Sequence, residues 1–266
     1  LKKYFGITET LSEKTADYIW NRCNELLATD DFKVQRLIER SNVKYICTTD
    51  DPVDTLEYHQ KLKNDGFSVK VLPTFRPDKA VEIANETFLP YLEKLGNIKT
   101  YKELCDKLVE RIEYFHQNGC RLSDHALGYV PYGEGDAEAV FNKVICGESI
   151  TKQEEDVYKT AILKLCASEY TKRGWTMQLH IGALRNNNSK MFRKLGPDTG
   201  FDSINDLSIA EPLSRLLDSM QISDSLPKTI LYTLNPKDNY VLGTMLGNFQ
   251  GSDVPGKIQF GSGWWF

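Results

Sequence analysis

The chain has 266 residues with a formal net charge of −4, and 41% of its residues are hydrophobic and 26% charged. That length and composition suit a globular protein of one large α/β domain or two small ones. The nearly balanced charge argues against a nucleic-acid surface or a polybasic membrane anchor, and the sequence contains no apolar run of about 18 residues that would span a bilayer.

The predicted elements alternate between helix and strand along the chain. A helical lead-in over residues 13–39 is followed by six strand-like runs: VKYICTT (43–49), SVKVLPTF (68–75), CRLSDHAL (120–127), GWTMQLHIG (174–182), PKTILYTLN (227–235) and GKIQFGSGWWF (256–266). Helical stretches separate each run from the next, and the first of them is expected to begin with Asp51 as its cap and Pro52 in its first turn. This alternation predicts a parallel sheet with helical crossovers, either a (β/α) barrel or an open doubly wound sheet.

The distribution of polar residues favours the barrel. Charged and polar side chains gather at the carboxyl ends of nearly every predicted strand, where a TIM barrel keeps its chemistry. No GxGxxG follows a strand and no P-loop is present, so the nucleotide-binding forms lose support. A complete barrel has eight strands. We therefore expect two strands to lie outside this chain, which also lacks a starting Met and ends on aromatic residues, as an internal fragment would.

The run from Gly174 to Asn188 carries the clearest site signal. Read with a period of two, it places two sets of side chains on opposite faces: Trp175, Met177 and Leu179 on one, Thr176, Gln178 and His180 on the other. A sandwich strand with one solvated face would have the same pattern, so this strand does not distinguish a sandwich from a barrel. At a strand end, His180 can move a proton or bind a metal, whereas the alternative is a core histidine bonded to a backbone carbonyl.

The other histidines carry weaker signals. Asp124 and His125 are adjacent on a strand, so they point to opposite faces and only one of them can enter a barrel. His59 and His116 lie within predicted helices, where a surface or packing role is the expectation.

Two arginines and a tryptophan also lie near strand ends. Arg76 ends LPTFR, and Arg185 follows His180 into an Asn-rich loop. The planar guanidinium pairs bidentately with carboxylates, so the two arginines suit an anionic or polyhydroxylated ligand, although each would equally suit a solvated ion pair. Trp264 can offer a flat face to a sugar ring or fill the top of a barrel.

Several site signatures are missing from the sequence. It has no HxH, no HExxH, no Cys/His cluster with zinc spacing and no GxSxG nucleophile elbow. The chain's own residues therefore predict no complete metal site. Its six cysteines are scattered and form no CxxC, so we expect reduced thiols and a cytoplasmic protein.

Seven long phrases in this order resemble the uronate isomerase (glucuronate/galacturonate isomerase) family of the amidohydrolase superfamily. They are TTDDPVDTLEYH, VLPTFRPDKA, CRLSDHAL, GWTMQLHIGALRNNN, LGPDTGFDSI, LPKTILYTLNPKDNYVLGTMLGNFQ and GKIQFGSGWWF. The resemblance implies a distorted (β/α)8 TIM barrel, of which this chain would supply about strands two to seven. Residues 1–42 would form a helical lead-in or insert, and residues 43–266 a partial barrel with a helical insertion near 130–173.

The resemblance also implies an activity. The family interconverts hexuronates through an enediol, D-glucuronate to D-fructuronate and D-galacturonate to D-tagaturonate. Carried over by motif, His180 and Asp124 would be catalytic, while Arg76, Arg185 and Trp264 would bind substrate. The family's divalent metal, with zinc as the expected ion, is held by an HxH and an Asp that would lie outside this chain. We therefore expect the chain alone to be inactive.

Two other interpretations stay open. One is a metal-dependent hydrolase of the amidohydrolase type, although the lack of histidines on several strands weighs against it. The other is a catalytically inactive barrel piece that binds sugar acids or associates with itself. Unpaired strand edges promote association, so a homo-oligomer is one expected form.

Overall fold

A computed structural model describes residues 1–252 and 254–265. Phe266, the last residue of the sixth predicted strand, lies outside the described residues. The chain divides into two compact units, the first comprising Leu1–Cys47 and Glu57–Leu72, the second comprising Thr48–Leu56 and the chain from Pro73 onward. None of the helices in the described part of the chain combines the length and the apolar character that a membrane crossing requires.

The first unit is mainly helical. Its elements are α1 (Lys2–Phe5), α2 (Ala16–Leu27), α3 (Val34–Arg40), β1 (Tyr45–Cys47), α4 (Glu57–Asn64) and β2 (Lys70–Leu72). The two strands pair in parallel, with Tyr45 opposite Lys70. The predicted helical lead-in corresponds to α2 and α3, which are separated by a short 3-10 turn at Asp30–Phe32.

The helix predicted to begin at Asp51 begins later, at Glu57. The prediction that Asp51 caps it, with Pro52 in its first turn, is wrong. The Asp51 carboxylate instead accepts a hydrogen bond from the backbone N–H of Val53 at 3.1 Å, which closes a local turn. Leu56 then adopts a left-handed φ of 55°, so the backbone becomes helical only after it.

The second unit contains the larger sheet. Its elements are α5 (Asp78–Val81), α6 (Phe88–Gly96), α7 (Tyr101–Gln117), β3 (Leu122–Leu127), α8 (Ala137–Ile145), α9 (Lys152–Lys172), β4 (Thr176–Ile181), β5 (Ala183–Leu184), α10 (Ser189–Leu195), β6 (Ser203–Ile204), α11 (Ala210–Ile222), β7 (Lys228–Thr233), α12 (Asn239–Asn248) and β8 (Ile258–Phe260). Strands β3, β4, β7 and β8 are parallel neighbours in that order. The predicted parallel arrangement is therefore confirmed for these strands.

Three features of the fold depart from the predicted elements. The second predicted strand (68–75) is regular only over Lys70–Leu72, because Pro73 lacks the N–H that a ladder needs. Beyond it, within the second unit, Phe75 forms isolated parallel bridges to Asp50 and Ser123. The Asn-rich loop also contains a short helix, α10, and an antiparallel pair, β5 with β6.

The core of the second unit confirms the alternation read along β4. Trp175, Met177 and Leu179 are almost completely buried, whereas the residues between them keep part of their surface. The Trp175 ring stacks on Tyr170 of α9, with 5.4 Å between centroids. One face of β4 thus packs in an aromatic core, and the other face carries the polar side chains.

Candidate functional site

Polar side chains from three adjacent strands meet on the half-buried face of the sheet. In the parallel register, His180 of β4 lies opposite Ala126 of β3 and opposite Tyr232 of β7. Asp124 lies two residues before Ala126 on the same face, so it is the diagonal neighbour of His180. The register alone therefore brings a carboxylate, an imidazole and a phenol together.

The contacts of His180 involve its Nδ1 atom and one face of its ring. Its Nδ1 lies 2.5 Å from Oδ1 of Asp124, and its ring stacks on Tyr232 with 4.3 Å between centroids at an angle of 13°. Because the Asp124 carboxylate faces Nδ1, we assign the proton of the neutral imidazole to Nδ1, which leaves Nε2 as the proton acceptor. A carboxylate–histidine pair of this kind can orient an imidazole and stabilise its charged form.

Asp124 is held as an anion by its neighbours. Burial raises the pKa of Asp124, but the contacts with His180 and the charge of Arg76 outweigh it, so the net pKa lies below its usual value. The Nη1 atom of Arg76 lies 3.6 Å from Oδ2 of Asp124. Asp124 thus bridges a cationic side chain on one side and an ionisable imidazole on the other.

Arg76 enters this cluster from the chain segment that follows the Phe75 bridge. Its Nε lies 2.7 Å from Oδ2 of Asp78, and its backbone N–H donates to the carbonyl of Asp50 at 3.0 Å. About a third of its side chain, 30%, stays exposed. Arg76 is therefore anchored through its backbone N–H and its Nε, while part of its side chain stays accessible.

Trp264 closes the other side of His180. The two rings meet edge to face, with 4.7 Å between centroids at an angle of 67°. The Trp264 ring stacks in turn on Trp265, and the guanidinium carbon of Arg185 lies 4.6 Å from the Trp265 ring centre. The indole Nε1 of Trp264 is buried and has no hydrogen-bond partner within the described residues.

Arg185 is less enclosed than Arg76. Its Nη1 lies 3.1 Å from Oδ1 of Asp198 and 3.5 Å from Oδ2 of Asp202. Asp198 is 77% exposed, so this pair is close to the solvated ion pair that the sequence left open as an alternative. The contact with Trp265 is what connects Arg185 to the rest of the cluster.

The structure brings the five sequence-predicted site residues into one contiguous cluster. In order of contact they are Arg76, Asp124, His180, Trp264 and, through Trp265, Arg185. The cluster combines an acid–base pair, two guanidinium groups and an aromatic wall. This set of groups suits a polyhydroxylated anion that exchanges a proton.

The histidines other than His180 lie outside this cluster. His125 points to the opposite face from Asp124 and is fully buried, with Nε2 3.3 Å from the Tyr170 hydroxyl. Burial lowers the pKa of His125 to about 4, so it is neutral at pH 7. His116 of α7 accepts a hydrogen bond at 2.9 Å from Nε1 of Trp175, a packing role as predicted, and His59 lies on α4.

Sequence reasoning missed Tyr232. Its hydroxyl donates to Oε1 of Gln178 at 3.0 Å while its ring supports His180. A Cβ atom at position 261 would lie 2.2 Å from the Tyr232 ring, so Gly261 of the following strand segment permits this placement. The available signal was the alternation along PKTILYTLN, which puts Tyr232 on the half-buried face of β7.

The donor groups of this cluster do not by themselves fit a metal ion. Within residues 1–252 and 254–265, no three His, Cys, Asp or Glu side chains converge in an arrangement that could hold one. The nearest pair, His180 Nδ1 and Asp124 Oδ1, contact each other, and the Arg76 cation lies beside them.

Comparison with known proteins gives consistent matches over the whole chain. The family model described as glucuronate isomerase matches residues 1–266. The chain is 53% identical over 275 residues to the uronate isomerase of Caldanaerobacter subterraneus subsp. tengcongensis, covering 100% of this chain and 59% of that protein. The chain thus spans 59% of the length of this curated relative.

Solved structures show the same fold. The uronate isomerase of Thermotoga maritima superposes with a TM-score of 0.91 at 34% identity, covering 100% of this chain and 58% of that one. The glucuronate isomerase of Caulobacter crescentus gives a TM-score of 0.88 at 25% identity, covering 99% of this chain and 55% of that one. The α/β architecture with parallel sheets is therefore that of these structures.

Proposed function

Because this chain belongs to the glucuronate isomerase family, we propose that it carries acid–base and substrate-binding residues for aldose–ketose isomerisation of hexuronates. The substrates would be D-glucuronate and D-galacturonate, and the products D-fructuronate and D-tagaturonate. The observation that carries the proposal is the Asp124–His180 pair, with Arg76 on one side and the Trp264 wall on the other. The family match favours this reaction over the hydrolase alternative.

The reaction requires a proton to move between C2 and C1 through a cis-enediol. It therefore needs a group that accepts the proton, a group that returns it and stabilisation of the enediolate oxygen. His180 has Nε2 to exchange a proton, and the Asp124 anion at Nδ1 stabilises the imidazolium that forms. Orientation of the reacting carbons by bound groups elsewhere on the sugar lowers the barrier further.

The other residues of the cluster would hold the substrate. Arg76 and Arg185 each present a guanidinium that pairs with the sugar's carboxylate or hydroxyl groups. Trp264 offers a ring face to the apolar side of the sugar and an indole N–H to one of its oxygens. His180 and Asp124 would thus be catalytic, and Arg76, Arg185 and Trp264 would bind substrate.

We extend the proposal to the architecture around the site. The chain would supply about strands two to seven of a (β/α)8 barrel, with residues 1–42 as a helical insert, residues 43–266 as a partial barrel and a further helical insertion near 130–173. A divalent metal, zinc as the expected ion, would polarise the substrate carbonyl and would take its ligands from residues outside this chain. The six free cysteines support a cytoplasmic location.

The test is steady-state kinetics on glucuronate with variants of the full-length enzyme. If the imidazole transfers a proton, His180→Asn should lower kcat by about 10²–10⁴-fold with a smaller change in KM. Arg185→Lys keeps the charge but loses the planar fork, so it should raise KM. Arg215→Lys, at an exposed ion pair with Glu211 on α11, is the matched control and should behave like the wild type.

Two results would contradict this assignment. Near wild-type kinetics for both site variants, with folding verified by circular dichroism, would mean that His180 and Arg185 are structural. A loss confined to KM in His180→Asn would mean that His180 orients the sugar without exchanging its proton.

A further inference from the structure

We propose that Asp78 is a positioning residue for substrate binding, because it ties the guanidinium of Arg76 to the backbone of β3. The Asp78 carboxylate lies 2.7 Å from Nε of Arg76 and accepts the backbone N–H of Ala126 at 3.3 Å from each oxygen. The inference rests on the proposed function, since Asp78 acts only through Arg76. Asp78 lies in the phrase VLPTFRPDKA, but the sequence alone predicts no role for it.

The backbone around β3 explains why a carboxylate is found here. Phe75 donates its N–H to the carbonyl of Leu122 at 3.1 Å and accepts the N–H of Asp124 at 3.0 Å, as in a parallel ladder. The next donor along β3 on this side is the N–H of Ala126. The neighbouring chain has by then turned into α5, so the Asp78 side chain takes the place of the missing carbonyl.

This arrangement fixes the direction of Arg76. An arginine side chain has several rotatable bonds, and ordering it for ligand binding costs conformational entropy. The Asp78 carboxylate holds the Nε edge, while Nη1 lies 3.6 Å from Asp124 beside His180. The guanidinium is therefore oriented before substrate arrives, with its Nε edge toward Asp78 and Nη1 toward Asp124.

The environment of Asp78 is consistent with a role beyond filling space. Although 24% of its side-chain surface is accessible, the surrounding protein desolvates the carboxyl and raises its pKa to about 6, against the opposing effect of Arg76. Placing a carboxylate here is thus costly, and the contact that offsets the cost is the one with Arg76.

The experiment uses the full-length enzyme with glucuronate as substrate. Asp78→Asn keeps the shape and an acceptor for Ala126 but loses the charged partner of Arg76. We expect KM to rise by about 10-fold or more with kcat within about threefold of the wild type, as for loss of an interaction made equally in ground and transition states. Asp78→Glu keeps the charge and should give an intermediate KM.

A matched control separates positioning from stability. Glu169→Gln breaks another ion pair of low exposure, in which Arg173, at the end of α9, contacts Glu169 of that helix at 2.6 Å. This variant should lower the melting temperature without changing KM. If Asp78→Asn does not fold, Asp78→Glu carries the test, and an unchanged KM in that variant overturns the proposal.

A double-mutant cycle with Arg76→Lys identifies the path of the effect. If Asp78 acts through Arg76, the double variant should have the KM of Arg76→Lys alone. Additive effects on KM would overturn the positioning role. A raised KM in Arg76→Lys with an unchanged KM in Asp78→Asn would overturn this inference and leave the proposed function standing. An unchanged KM in both single variants would overturn both.

Discussion

Asp124 and His125 are neighbours in the sequence, yet the protein holds one charged and the other neutral. Asp124 faces Arg76 and His180, which outweigh its burial and keep its pKa below the usual value. His125 faces the aromatic core beside Tyr170, where burial lowers its pKa to about 4. The strand's alternation is therefore enough to give adjacent residues opposite electrostatic environments.

We predict that His125 contributes to acid destabilisation of this chain. Its pKa is about 4 in the folded state and 6.5 when unperturbed, so the unfolded state binds the proton more tightly. The stability is fully present above pH 6.5 and is lost as the pH falls toward 4, by up to about 3 kcal/mol. Urea denaturation of the wild type and of His125→Gln between these pH values measures the effect.

The test of this prediction is how the free energy of unfolding changes with pH in the two proteins. The variant's free energy of unfolding should decline less steeply with acid, because other titrating groups are common to both proteins. Parallel profiles would show that His125 titrates at the same pH in the folded and unfolded states.

Among the elements, α9 begins with a capping box, as α7 does. The Thr151 hydroxyl accepts the N–H of Glu154 while the Glu154 carboxylate accepts the N–H of Thr151. This capping box satisfies two backbone donors at the start of a 21-residue helix that packs behind β4. The helix in turn carries Tyr170, on which Trp175 stacks.

We predict that Thr151→Ala lowers the free energy of unfolding by about 1 kcal/mol, the usual effect of losing such a cap. Thr151→Ser retains the hydroxyl oxygen and should stay close to the wild type. Urea denaturation at one fixed pH measures both. Equal losses in the two variants would assign the effect to the methyl group of Thr151, and no loss in either would mean that the cap is redundant.

Element types followed from the sequence more readily than element ends. Alternation along GWTMQLHIG identified both faces of β4, because a period of two is a property of any strand. The start of α4 was misplaced because Asp51 bonds to Val53, a local closure that competes with helix capping. In the Asn-rich loop, Asn188 caps α10 by accepting the N–H of Met191, a use that composition alone does not reveal.

The candidate site residues were predictable where the alternation along a strand placed them on one face. His180 and Asp124 follow from strand position together with the family resemblance. Tyr232 and Asp78 do not, because their contacts depend on which strands are neighbours and on where a ladder ends. Only the three-dimensional register identifies the contacts of these two residues.

At the scale of the whole molecule, the candidate site forms because the strands are parallel and adjacent in the sheet. The sheet β3–β4–β7–β8 brings side chains from distant parts of the chain to one face. Its described residues supply the candidate binding and acid–base groups but no set of three metal ligands. The chain spans 59% of its relative from Caldanaerobacter.

We therefore predict that the purified 266-residue chain neither retains stoichiometric zinc nor converts glucuronate. Metal analysis after dialysis against zinc and a product assay on the mass-verified chain measure both properties. The uronate isomerase of Thermotoga maritima, prepared in the same way, is the positive control. Turnover above that of a mock purification would contradict the prediction.

The opposite environments of Asp124 and His125 also bear on how the sheet assembles. A slip of β3 by one residue against β4 would turn every side chain of the strand to the other face. Asp124 would then enter the aromatic core beside Tyr170 with no cation to meet it, and His125 would replace the carboxylate next to His180. Burying an unpaired carboxylate is expensive. We therefore expect the pair to favour the native register of β3 against β4 over a one-residue slip.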